Sequence, residues 1–121
     1  MARIEVATLI QASPETCFDL ARSMRVHEMT TAQTGERIVE VLKAGRVRLT
    51  EEEAGKALLE LDDVVTFEAR HFGIRQRLTS KIVSYNRPIE FVDAMQKGAF
   101  RSLRHIHRFE AQNGGTKMID I

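Results

Sequence analysis

Two histidines, His105 and His107, stand two residues apart and are the groups in this chain best placed to do chemistry. On a β-strand that spacing sends both side chains to one face. Asp93 belongs to the preceding strand segment, and a turn centred near Gly98 sets it opposite Leu103 or His105. A carboxylate beside an imidazole orients the ring and raises its pKa, which suits general acid–base work. The structural alternative is a pair of partly exposed sheet histidines, or core groups whose hydrogen bonds are satisfied. A metal site is the weakest option. His-x-His supplies two ligands, and the spacing does not fix a third from Asp93 or His71. The expectation is therefore no metal and no other cofactor.

Two further polar groups share the inward register. Gln76 sits mid-strand, where an inward amide needs a partner; a bound polar head group, a neighbouring side chain or a water would serve. His71 lies at a hairpin tip, either lining a cavity mouth or solvated. Phe67, Leu78, Phe91, Leu103 and Phe109 supply apolar surface that is either core or cavity lining. Cys17 falls on a helical stripe with no base beside it, which makes it core rather than nucleophile. Arg70, Arg75, Arg77 and Lys81 form a basic outer stripe interrupted by Glu68, as on a solvated sheet face.

These groups need strands to carry them. The stretch Val64–Ile82, VVTFEARHFGIRQRLTSKI, has two period-2 segments flanking Phe72-Gly73. With those two residues as the loop, Val65, Phe67, Ala69 and His71 face Ser80, Leu78, Gln76 and Ile74. The same register sets Thr66 against Thr79 and Glu68 against Arg77 on the other face. Upstream, residues 3–10 alternate as a strand with Ile4, Val6, Thr8 and Ile10 on one side. Ser13-Pro14-Glu15 then starts a helix whose stripe is Cys17, Phe18, Leu20 and Ala21. Ser23 caps a second helix, with Val26 and Met29 as its apolar contacts. A strand over residues 36–42 breaks at Gly45, and residues 46–49 form a short returning strand. Thr50 and Glu53 make a capping box, after which Ala54, Ala57, Leu58 and Leu61 recur at helical spacing. Asn86-Arg87-Pro88 is a turn, residues 90–97 and 101–111 are strands, and Asn113-Gly114-Gly115 turns the chain into a last strand.

With 121 residues the chain makes one domain, and 29% charged with 43% hydrophobic residues is ordinary for a soluble protein. A net charge of +1 gives no electrostatic case for a nucleic-acid partner. No apolar run is long enough to span a bilayer, and residues 1–20 lack a secretory signal pattern, so integral membrane association is not expected. One cysteine permits no intrachain disulfide, which fits a reducing cytoplasm.

The order strand, two helices, then a run of antiparallel strands resembles the helix-grip fold of the START and birch-pollen-allergen superfamily (SRPBCC). The residues that carry the likeness are IEVATLIQASPETCFDLA, VTFEARHFGIRQRLTSKI and FVDAMQKGAFRSLRHIHRFE with its GG turn. The last two are similar to a bacterial subgroup of ligand-binding, cyclase/dehydrase-like members. The resemblance covers residues 2–42 and 62–121 and implies an α+β fold with a curved antiparallel sheet and two short N-terminal helices. It does not identify a ligand, because fold and function are separable. Residues 43–61 depart from the pattern. Members of the superfamily also carry a long C-terminal helix across the concave sheet, whereas this sequence reaches Ile121 before such a helix. A truncated chain, or self-association that covers the face, is the corresponding expectation.

Three functions follow as expectations. The first is binding or transport of a small hydrophobic or amphipathic ligand, lipid-, polyketide- or quinone-like. Apolar walls including Phe67, Leu78, Phe91, Leu103 and Phe109 would hold it, and His71, Gln76, Asp93, His105 and His107 would orient its polar end. The second is a polyketide cyclase/dehydrase-type enzyme, with His105 or His107 as acid–base and Asp93 as orienter. The third is a protein-interaction module that uses the open concave face.

Overall fold

The computed structural model describes residues 5–31, 35–71, 73–97 and 104–121. β1 (Val6–Ile10) leads into α1 (Pro14–Ala21) and α2 (Met24–Thr31). β2 (Arg37–Lys43), β3 (Val47–Arg48) and the short α3 (Glu51–Gly55) follow. The chain then runs through β4 (Val64–His71), β5 (Ile74–Asn86), β6 (Glu90–Lys97), β7 (Arg104–Gln112) and β8 (Gly115–Asp120). These strands form one curved, open antiparallel sheet in the order β1-β8-β7-β6-β5-β4-β2-β3.

Local chemistry explains where the elements begin. The Ser13 hydroxyl accepts from the Thr16 amide, and Pro14 occupies the first turn of α1. Thr50 and Glu53 cap α3 reciprocally, as the sequence pattern predicts. The central hairpin takes the predicted register, from Val65 opposite Ser80 to His71 opposite Ile74. Thr66 and Thr79 share a hydrogen bond of 3.0 Å on its convex face. Beside them Glu68 lies among Arg77 at 3.5 Å, Arg75 at 3.7 Å and Arg37 at 3.9 Å. Asn113 and Gly114 form the two-residue β7–β8 loop, and both have positive φ. Gly115 is constrained by space, since a Cβ there would clash with the Ile10 carbonyl oxygen of β1.

The core lies between the concave face of the sheet and the helices. Phe18 of α1 is fully buried and makes ring contacts with Tyr85, Phe91 and Phe109 at centroid distances of 5.4, 5.2 and 5.4 Å. Cys17, Met24, Val41, Leu59, Val65 and Ile82 complete the packing around it. The buried Arg22 guanidinium lies over the Phe18 and Tyr85 rings and donates to the Leu59 carbonyl. It also binds Asp19, which in turn takes two hydrogen bonds from Arg87 at 2.9 and 2.8 Å. This chain of charges ties α1 to the β5–β6 turn.

Several predicted core positions face solvent instead. Leu20 and Met29 are exposed, because Met24 and the aliphatic part of Arg22 take the inward positions of that helical corner. Leu58 and Leu61 are exposed while Leu59 is buried. The helical spacing there ends at Gly55, and Leu58 makes an isolated bridge to Ser23, so extended geometry alternates the side chains.

Candidate functional site

The sheet register assembles the site. Asp93 on β6 pairs directly with His105 on β7, and Phe91 pairs with His107. His107 pairs in turn with Asp120 on β8. All of these side chains share the concave face, as the alternation of adjacent strands requires. His107 Nε2 lies 2.7 Å from Asp93 Oδ2, and its Nδ1 lies 3.2 Å from Asp120 Oδ1. The ring stacks on Phe91 with centroids 4.4 Å apart at 16°. Ser80 donates to Asp93 Oδ1 at 3.3 Å, and His105 Nδ1 approaches the same oxygen at 3.8 Å.

Burial pulls the His107 pKa down, but hydrogen bonding and charge from Asp93, followed by Asp120, outweigh it, so the pKa is raised above 6.5. With carboxylates at both ring nitrogens the imidazolium is the matched form, donating from each side. Asp93, His105 and His107 each offer one ligand atom, and these atoms lie within 4.8 Å of one another. Asp93, one of the two groups that spacing left open as a third donor, lies beside both histidines.

This cluster forms one end of a cavity of about 280 Å³ between the sheet and α2. Val65, Phe67, Leu78, Ile82, Phe91 and Met95 line it from the sheet, with Met24 and Leu59 above. A second acid–imidazole pair stands in the same lining: His27 Nε2 lies 2.8 Å from Glu36, and its ring packs on Phe67 at 4.5 Å. His105 and His107 also border an open depression of about 470 Å³ with Met118, Asp120 and Ile121. The histidines therefore border both the cavity beneath α2 and the open depression beside it.

Of the residues singled out in the sequence, Phe67, Leu78, Phe91, Asp93, His105 and His107 line the cavity together. Gln76 does not join them; it pairs with Ala69 on the inward register but is exposed near the hairpin end. Phe109 is 3% exposed and packs against Phe18 in the core instead of lining the cavity. Leu103 and the His71 side chain lie outside the described residues. Sequence reasoning missed Asp120, His27 and Glu36. The Asn113-Gly114 loop could have revealed Asp120, because a two-residue hairpin fixes its pairing with His107. His27 and Glu36 belong to different elements and are brought together only by folding.

No protein-family model matches the chain, and no curated protein sequence does. Solved structures do match over nearly its whole length. Ara h 8.0201 is similar at 14% identity with a TM-score of 0.64, over 97% of this chain and 73% of its own. Ms6760 from Mycobacterium smegmatis is similar at 14% identity with a TM-score of 0.62, over 96% of this chain and 68% of its own. This protein has the helix-grip fold. Major latex-like protein 151 from Panax ginseng shares it at 13% identity with a TM-score of 0.61, over 97% of this chain and 74% of its own. At such identities the helix-grip likeness fixes the architecture, while the polar cluster must be argued from its own residues. Among the described residues no helix is long and apolar enough to cross a membrane.

Proposed function

We propose that this helix-grip protein binds a small amphipathic molecule in the cavity beneath α2, with the ligand's polar end against Asp93, His105 and His107. The observation that carries the reading is an apolar cavity of about 280 Å³ whose polar groups converge at one end. That volume is just below the range of roughly 300–1,000 Å³ typical of ligand pockets. A compact ligand fits, or a longer one that continues past His105 into the open depression. Apolar walls supply affinity, and the two histidines supply donors for an oxygen-bearing head group. The single cysteine, buried in α1, agrees with a reducing cytoplasm.

Native mass spectrometry of freshly purified protein tests this reading. A bound small molecule is expected in the wild type and is expected to be lost from Leu78→Trp, whose indole fills the cavity while the circular dichroism spectrum stays native-like. A wild type that is empty and takes up nothing from a lipid and aromatic library would refute it.

A second reading, acid–base catalysis of the cyclase/dehydrase type, draws on the Asp93–histidine pairing. His107 has both ring nitrogens occupied by carboxylates, so the proton carrier in that reading is His105, with Asp93 orienting it. Turnover of an identified ligand that survives His105→Gln would remove it.

A further inference from the structure

We infer that Asp93, His105 and His107 bind a divalent transition-metal ion, with Asp120 holding His107 from behind. Three donor atoms already lie within 4.8 Å of one another on two adjacent strands. A tetrahedral zinc ion with bonds of about 2.0–2.2 Å to nitrogen and oxygen needs its donors roughly 3.3 Å apart. The 2.7 Å approach of His107 Nε2 to Asp93 must open slightly, and the 3.8 Å approach of His105 must close slightly. These two changes are sub-ångström, and the widest donor pair, within 4.8 Å, closes by up to about 1.5 Å, a movement that rotation of the three side chains must supply.

The outer contacts are those a metal-binding imidazole needs. With Nδ1–H donating to Asp120 at 3.2 Å, His107 presents the Nε2 lone pair to the ion. Ser80 donates to the Asp93 oxygen facing away from His107 and limits rotation of that carboxylate. Phe91 stacks on the His107 ring and fixes its plane. Two imidazoles with one carboxylate favour zinc, iron, cobalt or nickel over calcium and magnesium, which prefer all-oxygen sets. Three protein ligands leave a coordination position; the cavity reaches all three side chains, and the open depression reaches the two histidines. The ion's binding stands on this geometry alone. Coordination of a ligand's oxygen at the open position rests additionally on the ligand-binding reading.

The test uses the full chain, freed of metal with a chelator and titrated with zinc chloride by calorimetry and with cobalt chloride by visible absorption. One equivalent of zinc and the intense visible bands of tetrahedral cobalt are expected. Asp93→Asn, His105→Gln and His107→Gln should each weaken zinc binding at least 100-fold. Asp120→Asn, which touches no metal, should weaken it roughly 10–100-fold. Circular dichroism at each step reports folding separately, and the wild-type cobalt spectrum does not depend on any variant. Substoichiometric zinc, a weak octahedral cobalt spectrum, or affinity unchanged in folded His107→Gln would overturn the inference. A small molecule retained in native mass spectra of the metal-free protein, together with any of these failures, would refute the metal site and leave the ligand-binding reading intact.

Discussion

Replacing Asp63 by alanine should destabilise this protein by about 3–5 kcal/mol, because it removes a buried carboxylate that satisfies two backbone amides and an ammonium. Asp63 is 1% exposed. Its Oδ1 accepts from the Ala44 amide at 2.8 Å, and its Oδ2 accepts from the Glu60 amide at 2.8 Å and from the Lys43 ammonium. The same residue's carbonyl accepts from the Ile82 amide, so one position joins the end of β2, the loop before β4 and strand β5. Hydrogen bonds to charged groups contribute about 1.5–3 kcal/mol each, and three on one carboxylate are not additive, which places the expected loss near 4 kcal/mol. For a domain of this size, 1 kcal/mol moves the Tm by roughly 3–6 °C, so a fall of about 10–25 °C is expected. Asp63→Asn is the sharper variant. Its amide can keep the Ala44 contact, but its NH₂ then faces the Glu60 N–H and the Lys43 ammonium, donor against donor. Flipping the amide strands Ala44 instead. Asparagine should therefore behave nearly as badly as alanine in urea denaturation. Lys43→Met, which leaves the carboxylate its two backbone donors, should lose roughly half as much. An Asp63→Asn protein within about 1 kcal/mol of wild type would refute the reasoning.

Three further outcomes follow from the packing and the charges. Phe18→Ala removes a fully buried ring in contact with Tyr85, Phe91 and Phe109 and should lose about 3–5 kcal/mol in urea denaturation; a loss under about 1 kcal/mol would contradict the core assignment. His107 is raised above its ordinary 6.5, so its stabilisation is complete below that value and is lost as pH rises through the folded pKa. Thermal melts across that window should show wild type losing more stability than Asp93→Asn, and parallel profiles would count against the clamp. For Asp19, the Arg87 hydrogen bonds hold the folded pKa at about 2 against 3.8, so its contribution is present above 3.8 and fades as pH falls toward 2. Because the pair is about one-third exposed, solvent screening limits that contribution to under about 1 kcal/mol, visible as a shallower acid limb in Asp19→Asn.

The sequence by itself determined the order of elements along the chain, the register of the central hairpin and the face on which Asp93, His105 and His107 lie. Each is a local matter: period-2 alternation chooses a face, and a short connection containing a glycine sets the pairing. Only the tertiary structure decided which inward positions meet empty space. Gln76 and Leu78 share a face, yet Leu78 lines the cavity and Gln76 is exposed near the hairpin end. Phe91 and Phe109 likewise share a face, and the position of Phe18 on α1 makes Phe109 core. The His27–Glu36 pair depends on how α2 crosses the sheet. The clamp on His107 required three adjacent strands to align Asp93, His107 and Asp120 across the sheet. Spacing can nominate a histidine, but its proton affinity is set by what long-range pairing places at each ring nitrogen.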